Sequence, residues 1–204
     1  MTLKLGNLDV SRETFERLET YSALLTKWNP KINLVSKSTI EDIWTRHILD
    51  SSQVFDMAPA EVNSWVDIGT GGGFPGLVVA ILSKELTPDR VVTLVESDQR
   101  KCAFLRTVAR VTGCAVTVLA DRVEKLAEQK ADVLSARALA SLDVLLGFAD
   151  LHLSSEGICL FPKGLTWEKE VAQAQEAWNF KVEAIKSETS EEAVVLRISE
   201  IKHV

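Results

Sequence analysis

The sequence predicts an α/β fold: a mostly parallel sheet with helices on both faces and an antiparallel hairpin at its C-terminal edge. Three observations lead there. From Ser64 onward, short apolar runs rich in β-branched residues alternate with segments of helical period. Four of the chain's 10 glycines fall within residues 69–73, directly after the first such run. The runs that follow end in charged or polar residues, as expected where strand tips open onto a ligand crevice.

Ahead of the glycines, Ser11 and Thr14 offer a helix start, and Phe15, Leu18, Tyr21, Leu24, Leu25 and Trp28 recur at helical spacing. Asn29-Pro30 is expected to end that helix. A second helix is predicted over residues 39–55, with Ile40, Ile43, Trp44, Ile48 and Leu49 apolar. Residues 28–36 between them read as too polar and broken for a core element. Residues 1–60 are thus expected to form a helical extension packed on a domain of residues 61–204. The extension either caps the mouth of that domain or covers a sheet face.

The domain itself opens with a strand over 65–69, the glycine turn, and a helix over 76–84 closed off by Pro88. A strand over 91–95 leads to a helix over 99–112, which Gly113 ends. A strand over 115–119, a short helix over 122–129 and a fourth strand over 132–135 follow. After a helix over 141–151, a fifth strand over 157–161 and a helix over 166–178, residues 180–187 and 193–199 alternate as a closing antiparallel hairpin. That makes seven strands, with no internal repeat and no linker.

With 204 residues, 25% charged and 46% hydrophobic, the chain is an ordinary globular one with room for a sizeable core. No apolar run reaches the ~18 residues of a membrane span, and the polar N-terminus does not read as a signal peptide. Cys102, Cys114 and Cys159 are isolated and odd in number, so neither a zinc site nor a disulfide framework is expected; no metal and a cytoplasmic setting are. A net charge of −6 weighs against general binding of DNA or naked nucleic acid but leaves a specific RNA open. No membrane partner is expected, and a monomer is.

The glycine turn takes a nucleotide-type ligand, because glycines admit close approach and the following helix presents its N-terminus. The pattern is Asp67-x-Gly69-x-Gly71-x-Gly73, not the dinucleotide G-x-G-x-x-G. An acid two residues before the first glycine repels a pyrophosphate and suits a ligand with an ammonium and a sulfonium. Glu96, at the tip of the second strand, is suited to accept from two ribose hydroxyls. Together these resemble the first two motifs of the S-adenosylmethionine (SAM) methyltransferases, a Rossmann-like class I fold. Phe74 either packs on the ligand or fills core, and its place after the glycines favours the ligand.

Arg122, Arg137 and Lys163 stand at successive strand tips and are expected to share one crevice, with Arg46 and His47 added from the N-terminal extension. Such a set suits an anionic polymer. Arg46 and Asp50, at i and i+4, could equally pair on a solvated helix face. Arg100, Lys101, Arg106 and Arg110 read as the solvent face of their helix.

Asn33-Leu34-Val35-Ser36, Arg46-His47-Ile48-Leu49-Asp50-Ser51, residues 67–76, Arg122-Val123-Glu124, Ser135-Ala136-Arg137-Ala138 and Lys163-Gly164 occur in an order and spacing that resemble the bacterial small-subunit ribosomal RNA (guanine-N7) methyltransferase family, RsmG or GidB. The resemblance runs from about residue 14 to the C-terminus. It implies SAM-dependent methylation at N7 of one guanosine in 16S-type rRNA, either free or within the small ribosomal subunit. It carries cofactor contacts to Gly69, Phe74, Val123, Glu124 and Arg137, beside Gly71 and Glu96 from the turn and second strand. Arg137, Lys163 and Arg122 are then expected to position substrate, and Arg46 and His47 to meet the RNA. Pro162 stands where an aliphatic residue is common, and Glu96 where Asp is frequent. A SAM enzyme acting on a small molecule or protein, or a SAM-binding module without catalysis, is the alternative.

The inventory agrees with that chemistry. Guanine N7 has an in-plane lone pair and needs no general base. No cysteine lies at the fourth or fifth strand tip, where attack on a pyrimidine carbon would call for one.

Overall fold

The computed structural model describes residues 2–204, and Lys37 through its backbone alone. Strands β1 (Thr2–Leu5) and β2 (Leu8–Ser11) form an antiparallel hairpin about a left-handed Gly6. This hairpin is absent from the sequence expectations. Helix α1 runs Arg12–Ile32, and the Ser11 hydroxyl accepts from Thr14 N at its start. The helix passes through Pro30 and stops at Asn33, a left-handed cap whose N–H returns to the Asn29 carbonyl. Proline near a helix C-terminus forfeits one backbone bond without halting the last turn, so the expected end at Asn29-Pro30 is corrected by three residues.

The predicted second helix is broken into a 3-10 turn (Lys37–Thr39), a π-helical stretch (Trp44–Leu49) and α2 (Asp50–Asp56). Next come β3 (Ser64–Ile68), α3 (Gly76–Leu86), β4 (Val91–Val95) and α4 (Gln99–Thr112), the last ended by a left-handed Gly113. Strand β5 is Thr117–Leu119 and β6 is Ala131–Ser135. The expected helix over 122–129 contracts to one 3-10 turn, Val123–Lys125, because only Val123 is buried there. Helix α5 (Leu142–His152), β7 (Leu153–Lys163), α6 (Trp167–Ala174), β8 (Trp178–Lys186) and β9 (Val194–His203) complete the chain.

The main sheet has seven strands in the order β5-β4-β3-β6-β7-β9-β8. Pairings from β5 through β7 are parallel, and β9 runs antiparallel to both β7 and β8. Side chains along the central strands alternate between two cores. Trp65, Leu94, Val133 and Leu160 join the core under α1, α3 and α4, while Val66, Val95, Leu134 and Phe161 join the one under α5. Burial on both faces explains why these strands read as continuous apolar runs. Strand order reverses between β3 and β6, so a ligand crevice is expected at their carboxyl ends. Among the described residues no helix is long and apolar enough to cross a membrane.

Candidate active site

At the end of β3 the chain turns through Gly69, Gly71 and Gly73, with φ of 62°, 56° and 98°. These are left-handed values that a side chain resists by about 1–2 kcal/mol. The Phe74–Pro75 peptide bond is cis. Asp67 is fully buried behind the turn, where it accepts from Gly76 N (3.0 Å) and Ser135 Oγ (2.7 Å). It therefore ties the start of α3 and the end of β6 to β3, which corrects its reading as a partner for a cationic ligand. Burial pushes its carboxyl up to about 6, and its hydrogen bonds pull the other way.

A first cavity of about 300 Å³ opens in front of the turn, between the tips of β3, β4 and β5. Gly69, Gly71, Glu96, Arg122, Val123 and Glu124 line it. Gly71 N donates to Glu96 Oε2 (3.0 Å) and Asp98 N to Glu96 Oε1 (2.8 Å), so both carboxylate oxygens are oriented and each keeps a lone pair. A Cβ on Gly71 would meet nothing nearer than the Gly69 carbonyl at 3.8 Å, so its face of the turn is open. The carbonyl of Val123 accepts from Nε2 of the buried His152 (3.1 Å), an anchor that periodicity could not reveal.

A second cavity, about 360 Å³, lies past β6 and is lined by Asp50, Arg137, Ala138, Pro162, Lys163 and Glu170 among others. The three cations expected in one crevice are thus divided: Arg122 in the first cavity, Arg137 and Lys163 in the second. Ala138 lines both, and it too is left-handed, with φ of 53°. Arg137, expected among the cofactor contacts as well, lines the second cavity and not the first.

Arg137 donates to Asp50 Oδ2 (3.3 Å), the Arg46 carbonyl (3.2 Å) and His47 Nδ1 (2.7 Å). Asp50 consequently pairs with Arg137 and not with Arg46. Arg46 is exposed, and among the described residues its guanidinium has no hydrogen bond. His47 is buried, with its ring stacked on Phe74 (4.8 Å) and Nε2 against Thr39 Oγ1 (2.9 Å). Phe74 lies between His47 and Tyr21, with the Arg137 guanidinium 5.0 Å from its ring centre. That ring packs into the core, and its backbone lies beside the glycines. Lys163 Nζ donates to Glu170 Oε2 (2.7 Å) and the Ala140 carbonyl (3.0 Å).

The N-terminal segment braces the turn from behind. Tyr21 donates its hydroxyl to the Gly72 carbonyl (2.5 Å). Asn29 Oδ1 accepts from Leu34 N and Val35 N (2.7 and 2.8 Å), which sets Leu34 against Gly72. Helix α1 covers the α3–α4 face while residues 44–50 reach the mouth at Arg137. Of the basic residues on α4, Arg100, Arg106 and Arg110 are exposed, whereas Lys101 lines the first cavity.

A seven-stranded sheet closed by an antiparallel hairpin, with a glycine turn at its switch point, is the architecture of the class I SAM-dependent methyltransferases, and SAM is the cofactor. The TehB-like SAM-dependent methyltransferase of Corynebacterium glutamicum superposes with a TM-score of 0.55 at 16% identity, covering 74% of this chain and 86% of that one. TYW2 of M. jannaschii in complex with AdoMet does so at 0.55 and 14%, covering 86% and 80%. A family model described as rRNA small subunit methyltransferase G (GidB) matches residues 14–195. The ribosomal RNA small subunit methyltransferase G of a Ruegeria species is 58% identical over 98% of both chains. The chain belongs to the GidB family.

Proposed function

We propose that the enzyme transfers the methyl group of SAM to N7 of one guanosine in 16S-type small-subunit rRNA. SAM, when bound, would supply an electrophilic methyl group that the N7 lone pair could take as the carbon–sulfur bond breaks, with S-adenosylhomocysteine as the leaving group and the positive charge passing to the ring. No proton has to be removed before attack, so the protein's work is alignment and exclusion of water. Gly69, Gly71, Glu96, Val123 and Glu124 hold SAM in the first cavity. Arg137, Lys163 and Arg122 position the nucleotide, Arg46 meets phosphate, and His47 acts through Arg137. Residues 1–60 serve as an extension of a SAM-binding domain of residues 61–204. The enzyme works as a monomer, on rRNA presented by the small ribosomal subunit, since an acidic chain gains little from phosphates alone.

The observation that supports this reading most is the common wall at Ala138, which sets a cofactor-type cavity beside a cation-bearing one. The test is tritium transfer from labelled SAM to small subunits from cells lacking the protein, followed by nucleoside analysis. Label in 7-methylguanosine is expected. SAM binding with no label in RNA would overturn the reading in favour of a small-molecule or protein substrate.

A further inference from the structure

The second cavity holds a donor and an acceptor side by side. Lys163, 9% exposed at its side chain, and Glu170, 24% exposed, are joined at 2.7 Å. The ammonium makes two hydrogen bonds, to Glu170 and the Ala140 carbonyl, and retains a third donor. Glu170 Oε2 takes Lys163 and Leu142 N, but Oε1 has only a 3.4 Å contact with the exposed Thr166. The other carboxylate in the cavity already carries three hydrogen bonds, the pairing with the Arg137 guanidinium among them: Asp50 Oδ1 accepts from Gln53 and Thr189, and Oδ2 from Arg137.

Resting on the reading of a guanosine substrate, we propose that the Lys163–Glu170 pair selects the base. Lys163 donates to guanine O6, and the free oxygen of Glu170 accepts from the neighbouring N1–H and the exocyclic N2 amino group. Guanine presents acceptor then donors along that edge, whereas adenine presents a donor at N6 and an acceptor at N1. Adenine would therefore set its amino group against the ammonium and its N1 lone pair against the carboxylate. Such a site disfavours the wrong base, because mispairing sets like groups against each other and leaves the part-buried Lys163 and Glu170 without partners on the base. The contacts fall on O6, N1 and N2, so N7 is left free to meet the methyl group. Glu170 thus determines specificity, and its pairing with Lys163 does more than neutralise a charge.

The test compares small subunits carrying guanosine at the methylated position with subunits in which that nucleotide is inosine, which lacks only the N2 amino group. For the unmodified enzyme, kcat/KM is expected to fall about tenfold to a hundredfold on inosine, the loss of hydrogen bonding to a charged group, with SAM affinity unchanged. Glu170→Gln is expected to slow methylation of guanosine and to bring the two substrates within about threefold of each other. A purely structural role for Glu170 would lower both rates and preserve their ratio, which overturns the proposal. Equal methylation of inosine and guanosine by the unmodified enzyme overturns it without any variant. Absence of 7-methylguanosine on the guanosine subunits would overturn the underlying reading, and the inference with it.

Discussion

Arg137 donates to Nδ1 of His47 across 2.7 Å, which fixes the imidazole as neutral, with its proton on Nε2 facing Thr39. Burial first, then the charges of Arg137 and Arg46, hold His47 down to about 3 from an ordinary 6.5. A histidine that meets RNA phosphate as a cation would need freedom to protonate. This one orients the arginine beside it.

A pH dependence of stability follows. The unfolded chain binds a proton at His47 below about 6.5 that the native state refuses until about 3. The stabilisation is therefore complete above about 6.5 and fades as pH falls through that window. Urea unfolding of His47→Gln should show a shallower loss of stability between pH 6.5 and 4 than the unmodified protein. Parallel curves would remove His47 as the source.

Asp67 has the opposite sign. Its folded value of about 6 lies above the ordinary 3.8, so in this window the native state binds the extra proton and stability falls as pH rises. Asp67→Asn also loses an acceptor for Gly76 N or Ser135 Oγ, at a cost of about 1–3 kcal/mol. The stability gap between the two proteins should narrow as pH rises from about 4 to about 6, and urea unfolding at several pH values checks it.

His152 lies at the last residue of α5 and acts on the first cavity only through the Val123 carbonyl. Its replacement by Leu should raise KM for SAM by about two- to tenfold, the worth of one hydrogen bond, with kcat unchanged. Steady-state kinetics at saturating rRNA separates the two parameters.

Gly69 is strained for any side chain, and a Cβ there would sit 2.5 Å from Leu139 Cδ1. Gly69→Ala should destabilise the fold by about 1–2 kcal/mol in thermal or urea melts. Because Leu139 lines the first cavity and must shift, SAM affinity should drop as well.

The sheet and its helices were legible because burial on both faces leaves an uninterrupted apolar signature and because Ser11 and Gly113 mark helix ends by their own chemistry. The β1–β2 hairpin was not, since each strand has four residues and only Leu5 and Val10 are buried. Leu3, Leu5, Leu8 and Val10 at period two around Gly6-Asn7 were the available signal. Residues at strand tips were found by topology, and their division into two cavities was not. Arg137 meets Asp50 across 87 residues of sequence, and its stack with Phe74 and His47 depends on a π-helical stretch that no periodicity announces. Asp67 misled because an acid beside a glycine turn looks the same whether it faces ligand or core.

Equilibrium SAM binding paired with 7-methylguanosine formation in Gly71→Asp and Arg137→Ala separates two adjoining cavities with distinct duties from a single shared site. A new carboxylate beside Glu96 should abolish SAM binding. Arg137→Ala should bind SAM within about threefold of the unmodified enzyme, a change below 1 kcal/mol, and yet form no 7-methylguanosine. Equal loss of SAM binding in both variants, or methylation at the normal rate without Arg137, would contradict the division.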